Sequence, residues 1–209
     1  EFSRNGKSRG LTPVKAIDHD MFIKEKLIPV GILEPVTGRT FLAFGNSNHT
    51  SDLIADVIEK WLQANQERLA SQGISELVIN ADNAPDCNSH RSQFLLRMTQ
   101  LADKYALNIH LAYYPPYHSK YNPIEHYWGG LERSWNGFLL DSVETVLKRA
   151  GNFIWRGIKT QVDTAFGTYK TGIMHLQKEK KGIEERLLRV PELRWWDVSI
   201  PFRPKTVNQ

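Results

Sequence analysis

The stretch from Glu76 to Tyr113 constrains the fold most. Glu76–Asn83 (ELVINADN) alternates and is rich in β-branched apolar residues, which predicts a strand. Ser92–Tyr105 then carries Phe94, Leu95, Met98, Leu101 and Ala102 at helical spacing, and Asn108–Tyr113 returns to a strand pattern. A strand, a helix and a second strand joined by short links form a crossover unit, so these two strands are expected to run parallel. Upstream, Pro13–Met21, Leu27–Leu33 and Thr40–Gly45 read as short strands in an antiparallel meander, the last two separated by the turn residues Thr37-Gly38. Between meander and crossover, Thr50 or Ser51 can cap a helix running to about Leu69. Its apolar face holds Leu53, Ile54, Val57, Ile58, Trp61 and Leu62.

A last helix begins at Asn122-Pro123, because asparagine is a good N-cap, proline suits the first helical position and Glu125 falls at the third. The expected order is therefore three strands, helix, strand, helix, strand, helix. In outline this is an α/β, ribonuclease-H-like arrangement: a mixed five-stranded sheet flanked by helices, with a helical C-terminal region appended. It sets Asp82 at the end of the fourth strand and Glu125 at the start of the helix after the fifth. Acids at the carboxyl ends of strands in α/β sheets tend to face a ligand crevice. An N3 glutamate also has a plainer use, closing a capping box.

A chain of 209 residues, 41% of them hydrophobic, can bury one sizeable core but not two ordinary ones. The expected division is a core over residues 1–140 and a helical extension over 141–209 that packs on it. A formal charge of +4 is compatible with a polyanionic partner without requiring one. The single cysteine, Cys87, excludes an internal disulfide and a cysteine-based zinc site, and no apolar run is long enough to span a bilayer. A reducing cytoplasm fits that composition. The chain opens on Glu1-Phe2, runs into SRNGKSRG and shows no signal-peptide pattern, which reads as a fragment of a longer protein.

The motifs are specific in combination. INADNAP (Ile79–Pro85), followed by HLAYYPPYHSKYNPIEHYWGGLE (His110–Glu132), resembles the DDE transposases of bacterial insertion sequences, most closely the ISAzo-type family of the retroviral integrase superfamily. The similarity extends to KSRG, VKAIDHD, IPVGILE and LLDSVETVL. By resemblance Asp82 matches the second catalytic aspartate and Glu125 the final glutamate. The family's first aspartate has no clear match, and the resemblance places it upstream of Glu1, with Asp18 and Asp20 as internal alternatives.

The resemblance implies a polynucleotidyl transferase that releases the 3′ ends of an element hydrolytically and joins them to target DNA. It implies two Mg²⁺ ions (Mn²⁺ in vitro) held by Asp82 and Glu125, element-end and target DNA as partners, a homo-oligomer assembled on DNA, no membrane, and a bacterial, nucleoid-associated location. Carboxylates suit that chemistry because Mg²⁺ takes hard oxygen ligands and leaves its other positions to water and substrate phosphate. Other readings are a decayed, non-catalytic DNA-binding or assembly module of the same fold, and a nuclease acting on RNA–DNA hybrids.

Weaker candidates surround the two acids. His118, Ser119 and Lys120 form a polar turn that can touch a phosphate or remain solvated. Tyr113, Tyr114 and Tyr117 can stack on bases but more often pack beneath a loop. Asn83 can orient Asp82 or stabilise its turn, and Arg133 can reach DNA or form a surface ion pair. His110, inside a strand, reads as a structural hydrogen-bonder, Cys87 lacks the base a nucleophile needs, and Trp128 and Trp135 share a core face. Downstream, Asp141 and Glu144 start a helix expected to include Phe153 and Ile154, with a second helical stretch after Gly157. Gln177–Arg189 reads as a charged, solvated helix whose KEKK can alternatively contact DNA, and Trp195–Pro204 as an extended segment packing back on the domain or on a second subunit.

Overall fold

The computed structural model describes residues 26–115 and 121–204. The expected strand Pro13–Met21, together with Asp18, Asp20, Tyr117, His118, Ser119 and Lys120, lies outside the described residues. The chain divides into two compact units, one from Glu1–Ser47 with Pro123–Gly167, the other from Asn48–Asn122 with Thr168–Gln209.

In the first unit, β1 (Ile28–Leu33) and β2 (Thr40–Gly45) pair antiparallel, with Ile28 opposite Gly45 and Leu33 opposite Thr40. Gly38 adopts φ +76° in the connecting turn, a conformation that favours glycine, and its N–H donates to Glu34 O at 2.8 Å. Every residue of β2 is buried, because the strand lies between β1 and the parallel β7 (Gln161–Thr164). Leu42 and Phe44 of β2 meet Tyr127 and Leu131 of α3 (Pro123–Trp135) and Val146 and Ala150 of α4 (Val143–Gly151). Fully burying a side chain of that size contributes roughly 1.5–3 kcal/mol.

In the second unit, β3 (Glu76–Ala81) and β4 (Asn108–Tyr113) are parallel and joined through α2 (Ser92–Tyr105), as a crossover requires. Ala106 ends α2 in the left-handed region (φ +52°), which turns the chain into β4. Thr50 caps α1 (Ser51–Ser71), its Oγ1 accepting from the Leu53 N–H at 3.2 Å. Leu53, Val57 and Trp61 of α1, Phe94 and Met98 of α2, and Ile109 and Leu111 of β4 are buried. Arg97 of α2 ties the two helices, donating to Asp52 at 3.0 Å and Asp56 at 2.7 Å.

The C-terminal third of the chain departs from expectation. Residues 141–209 are expected to be a helical extension ending in an extended segment, yet apart from α4, α5 (Gln177–Glu184) and a 3₁₀ turn at Pro191–Leu193 the described elements there are strands. β9 (Asp197–Ile200) pairs antiparallel with β4, and β8 (Leu188–Arg189) pairs with β9, so the WDVSI segment does pack back as extended chain. Helix α4 is capped by Ser142 rather than Asp141 and stops at Gly151. Phe153 and Ile154 therefore fall outside it, and β5 (Ile154–Trp155) and β6 (Ile158–Lys159) form a hairpin. Positive φ at both Arg156 (+48°) and Gly157 (+81°) is the backbone a two-residue hairpin turn demands.

A single five-stranded sheet is likewise not what the described strands form. They group as β1-β2-β7, β3-β4-β9-β8 and β5-β6. Segments expected to be helical or merely extended supply β7 and β9 as partners for β2 and β4. The architecture is mixed α/β, and among the described residues no helix is long and apolar enough to cross a membrane.

Candidate active site

Asp82 is the first residue after β3. The β3–β4 ladder ends at Ala81 opposite Tyr113, and the Tyr114 N–H closes it by donating to Ala81 O at 3.0 Å. The Asp82 side chain is thus released at a strand end and exposed. The loop that follows folds on itself through Cys87 N–H to Ala84 O at 3.1 Å and His90 N–H to Asn88 Oδ1 at 3.0 Å. It is also held from outside. Ser51 Oγ donates to Asp86 O at 2.6 Å, the Tyr113 hydroxyl to Cys87 O at 2.8 Å, and Arg189 Nη2 to Ser89 O at 2.9 Å. Asp86 itself is engaged by His49 Nδ1 at 2.9 Å.

Cys87 lies beneath the aspartate, its Sγ 3.4 Å from Asp82 O and 3.7 Å from Asp82 Oδ1. Burial first, and then the Asp82 charge, push the thiol up to about 12. It keeps its proton and donates toward Asp82, which agrees with the expectation that it is no nucleophile. Burial also raises the Tyr113 phenol, whose ring is buried as a prop for the loop rather than offered to a base. Asn83 Oδ1 is buried and has no hydrogen-bond partner among the described residues.

Glu125 stands in the first turn of α3 and is exposed, while Tyr127 and Leu131 point into the first unit's core. A carboxylate in a first turn sits favourably against the helix dipole. The helix beneath it is seated without slack. A Cβ on Gly31 would lie 2.6 Å from the Trp128 ring, and one on Gly130 would meet Phe153 at 3.2 Å and Trp155 at 3.3 Å. Tyr127 makes edge contacts with Trp128, Phe153 and Trp155 at 5.4, 5.6 and 5.8 Å between centroids. Its hydroxyl lies 3.1 Å from Thr160 Oγ1, which in turn lies 3.0 Å from Thr40 Oγ1.

Arg133 is exposed near the end of α3 and forms no ion pair among the described residues, contrary to the ordinary use of such an arginine. His110 is structural, with Nε2 3.2 Å from Asp197 Oδ2 and Nδ1 3.3 Å from Ser199 Oγ. Trp128 and Trp135 pack on the core as expected. Asp82 belongs to the second unit and Glu125 to the first. Among the described residues no group of three or more His, Cys, Asp or Glu side chains is arranged to hold a metal ion. Each of the two residues presents an exposed carboxylate, an oxygen donor of the kind a hard cation takes.

Across residues 1–201 the chain matches the family described as Rhodopirellula transposase DDE domain. It belongs to that DDE transposase family. No curated protein and no solved structure matches it. Membership places this DDE domain in a transposase-type enzyme family, whose members usually use divalent metals and bind DNA. Two supports of the DDE domain's Asp82 loop, Arg189 and Ser51, escaped sequence reading. Nothing local marks them, because each contacts a loop distant in the chain.

Proposed function

We propose that this chain is the catalytic domain of an insertion-sequence transposase that cuts DNA at the element's 3′ ends and transfers those ends to target DNA. The family match over residues 1–201 carries the reading. The placement of Asp82 immediately after a strand and of Glu125 in the first turn of a helix supports it, because each carboxylate is exposed on a supported backbone. Asp82 and Glu125 are the proposed ligands of two Mg²⁺ ions. When bound, such ions activate the attacking water or 3′-hydroxyl and stabilise the leaving oxygen. The ribonuclease-H-like fold is part of the same proposal, supported by an antiparallel β1–β2 pair followed by a parallel β3–β4 pair. A homo-oligomer on DNA completes the reading.

The test is a Mn²⁺ titration by calorimetry on the full-length protein and its Asp82→Asn and Glu125→Gln variants, beside metal-dependent cleavage and joining of DNA carrying the element ends. Metal binding and cleavage lost in both variants, with DNA binding retained, is the expected result. Wild-type cleavage in either variant overturns the assignment. Cleavage without joining, preferring strands that carry 2′-hydroxyls, selects the nuclease reading instead.

A further inference from the structure

The Asp82 loop ends beside an aromatic and cationic cluster that neither strand pairing nor the metal chemistry requires. Trp195 is a large apolar side chain left 37% exposed. The His90 imidazole, itself exposed, stacks on it with centroids 3.9 Å apart and planes inclined at 27°. The guanidinium groups of Arg194 and Arg189 lie 4.7 and 5.3 Å from the indole centroid. These two arginines have different duties. Arg189, whose side chain is 8% exposed, is consumed by Glu184, Ser89 O and Arg194 O, and so fastens the cluster to the Asp82 loop. Arg194 is exposed and has no ion pair among the described residues.

Among the described residues the loop also holds three of the six buried polar atoms that lack a hydrogen-bond partner: Asn83 Oδ1, Ser89 Oγ and Arg91 Nε. An exposed imidazole backed by an indole offers a π face, and a free guanidinium beside it offers a phosphate contact. That pairing is how proteins hold unpaired nucleotides, whose faces are accessible as those of stacked duplex bases are not.

We propose that His90, Trp195 and Arg194 form a stacking platform for an unpaired DNA base next to the Asp82 loop, an inference that rests on the DNA-processing reading above. The base stacks on the His90–Trp195 pair and Arg194 takes the neighbouring phosphate. Fluorescence anisotropy with the full-length protein tests it, comparing a duplex bearing a short single-stranded 3′ tail with a blunt duplex of the same sequence. Trp195→Ala should weaken binding of the tailed DNA by roughly five- to 100-fold and of the blunt DNA by less than about twofold, while Trp195→Phe stays near wild type. Arg194→Gln should lower the salt slope by about one on the tailed DNA. If Trp195→Ala fails to fold by circular dichroism, His90→Ala decides on the same comparison. Unchanged affinity for tailed DNA, or an equal loss on both DNAs, overturns the platform while leaving the transposase reading standing. A wild-type protein that binds neither DNA overturns both.

Discussion

Glu125 and Asp82 rest on opposite kinds of support. Glu125 rides on a helix seated by dense apolar packing, where Gly31 admits the Trp128 ring and Tyr127 is enclosed by aromatic edges. Asp82 begins a loop secured at separate points by hydrogen bonds from Ser51, Tyr113 and Arg189, with unpartnered polar atoms left inside it. Packing of that density resists displacement in every direction, so the helix position follows the core as a whole. A loop tied by a few bonds, each contributing about 1 kcal/mol net, can readjust locally without unfolding its unit. The first carboxylate is placed by shape and the second by directional contacts.

The strongest break of this comparison is removal of the carboxylates themselves. Asp82→Asn and Glu125→Gln should both eliminate metal-dependent cleavage, yet leave the thermal midpoint close to wild type, since both side chains are exposed. A large fall in stability in either variant, read by calorimetry, would assign that residue a structural role. Next comes Gly31→Ala, which drives a methyl into Trp128 and should destabilise the first unit by about 1–3 kcal/mol in urea denaturation. Gly130→Ala meets its neighbours at 3.2–3.3 Å and should have the smaller effect of the two.

On the loop side, Tyr113→Phe deletes the donor to Cys87 O and should lower stability by about 1–3 kcal/mol, with faster hydrogen exchange confined to the residues after Asp82. Exchange that rises across the whole second unit instead would mean the loop is not independently adjustable. The last effect is a pH dependence. An ordinary cysteine thiol titrates near 9.0 and burial pushes Cys87 up to about 12 in the folded protein, so between those values the folded state holds a proton that the unfolded state has lost. Its contribution is fully present below about pH 9 and is lost as pH climbs toward about 12. Wild type should therefore lose more stability over that interval than Cys87→Ala, measured by denaturation at each pH. Parallel pH profiles would remove the thiol from the account.

Elements with strong local periodicity are legible in the sequence. α2 and β4 match their expected bounds, and β1, β2, α1 and α3 lie within a residue or two of theirs, because an apolar face at regular spacing, a capping Thr50 or an N1 proline acts through near neighbours alone. The expectation fails where strands are very short. β5, β6 and β8 have two residues each, too few to show an alternation, and the Arg156-Gly157 turn announces itself only through backbone angles.

By itself the sequence determined the chain's family, through the motifs around Asp82 and Glu125 and the match over residues 1–201, and it determined where each acid sits on its own element. Tertiary structure alone decided what stands behind them. Arg189 reaches Ser89 across 100 positions, Tyr113 props Cys87, Trp195 stacks on His90, and β9 completes the sheet on β4. Local hydrogen bonding and side-chain spacing are written into neighbouring residues. Contacts between residues far apart in the chain depend on how it closes in space, and no run of neighbours encodes that.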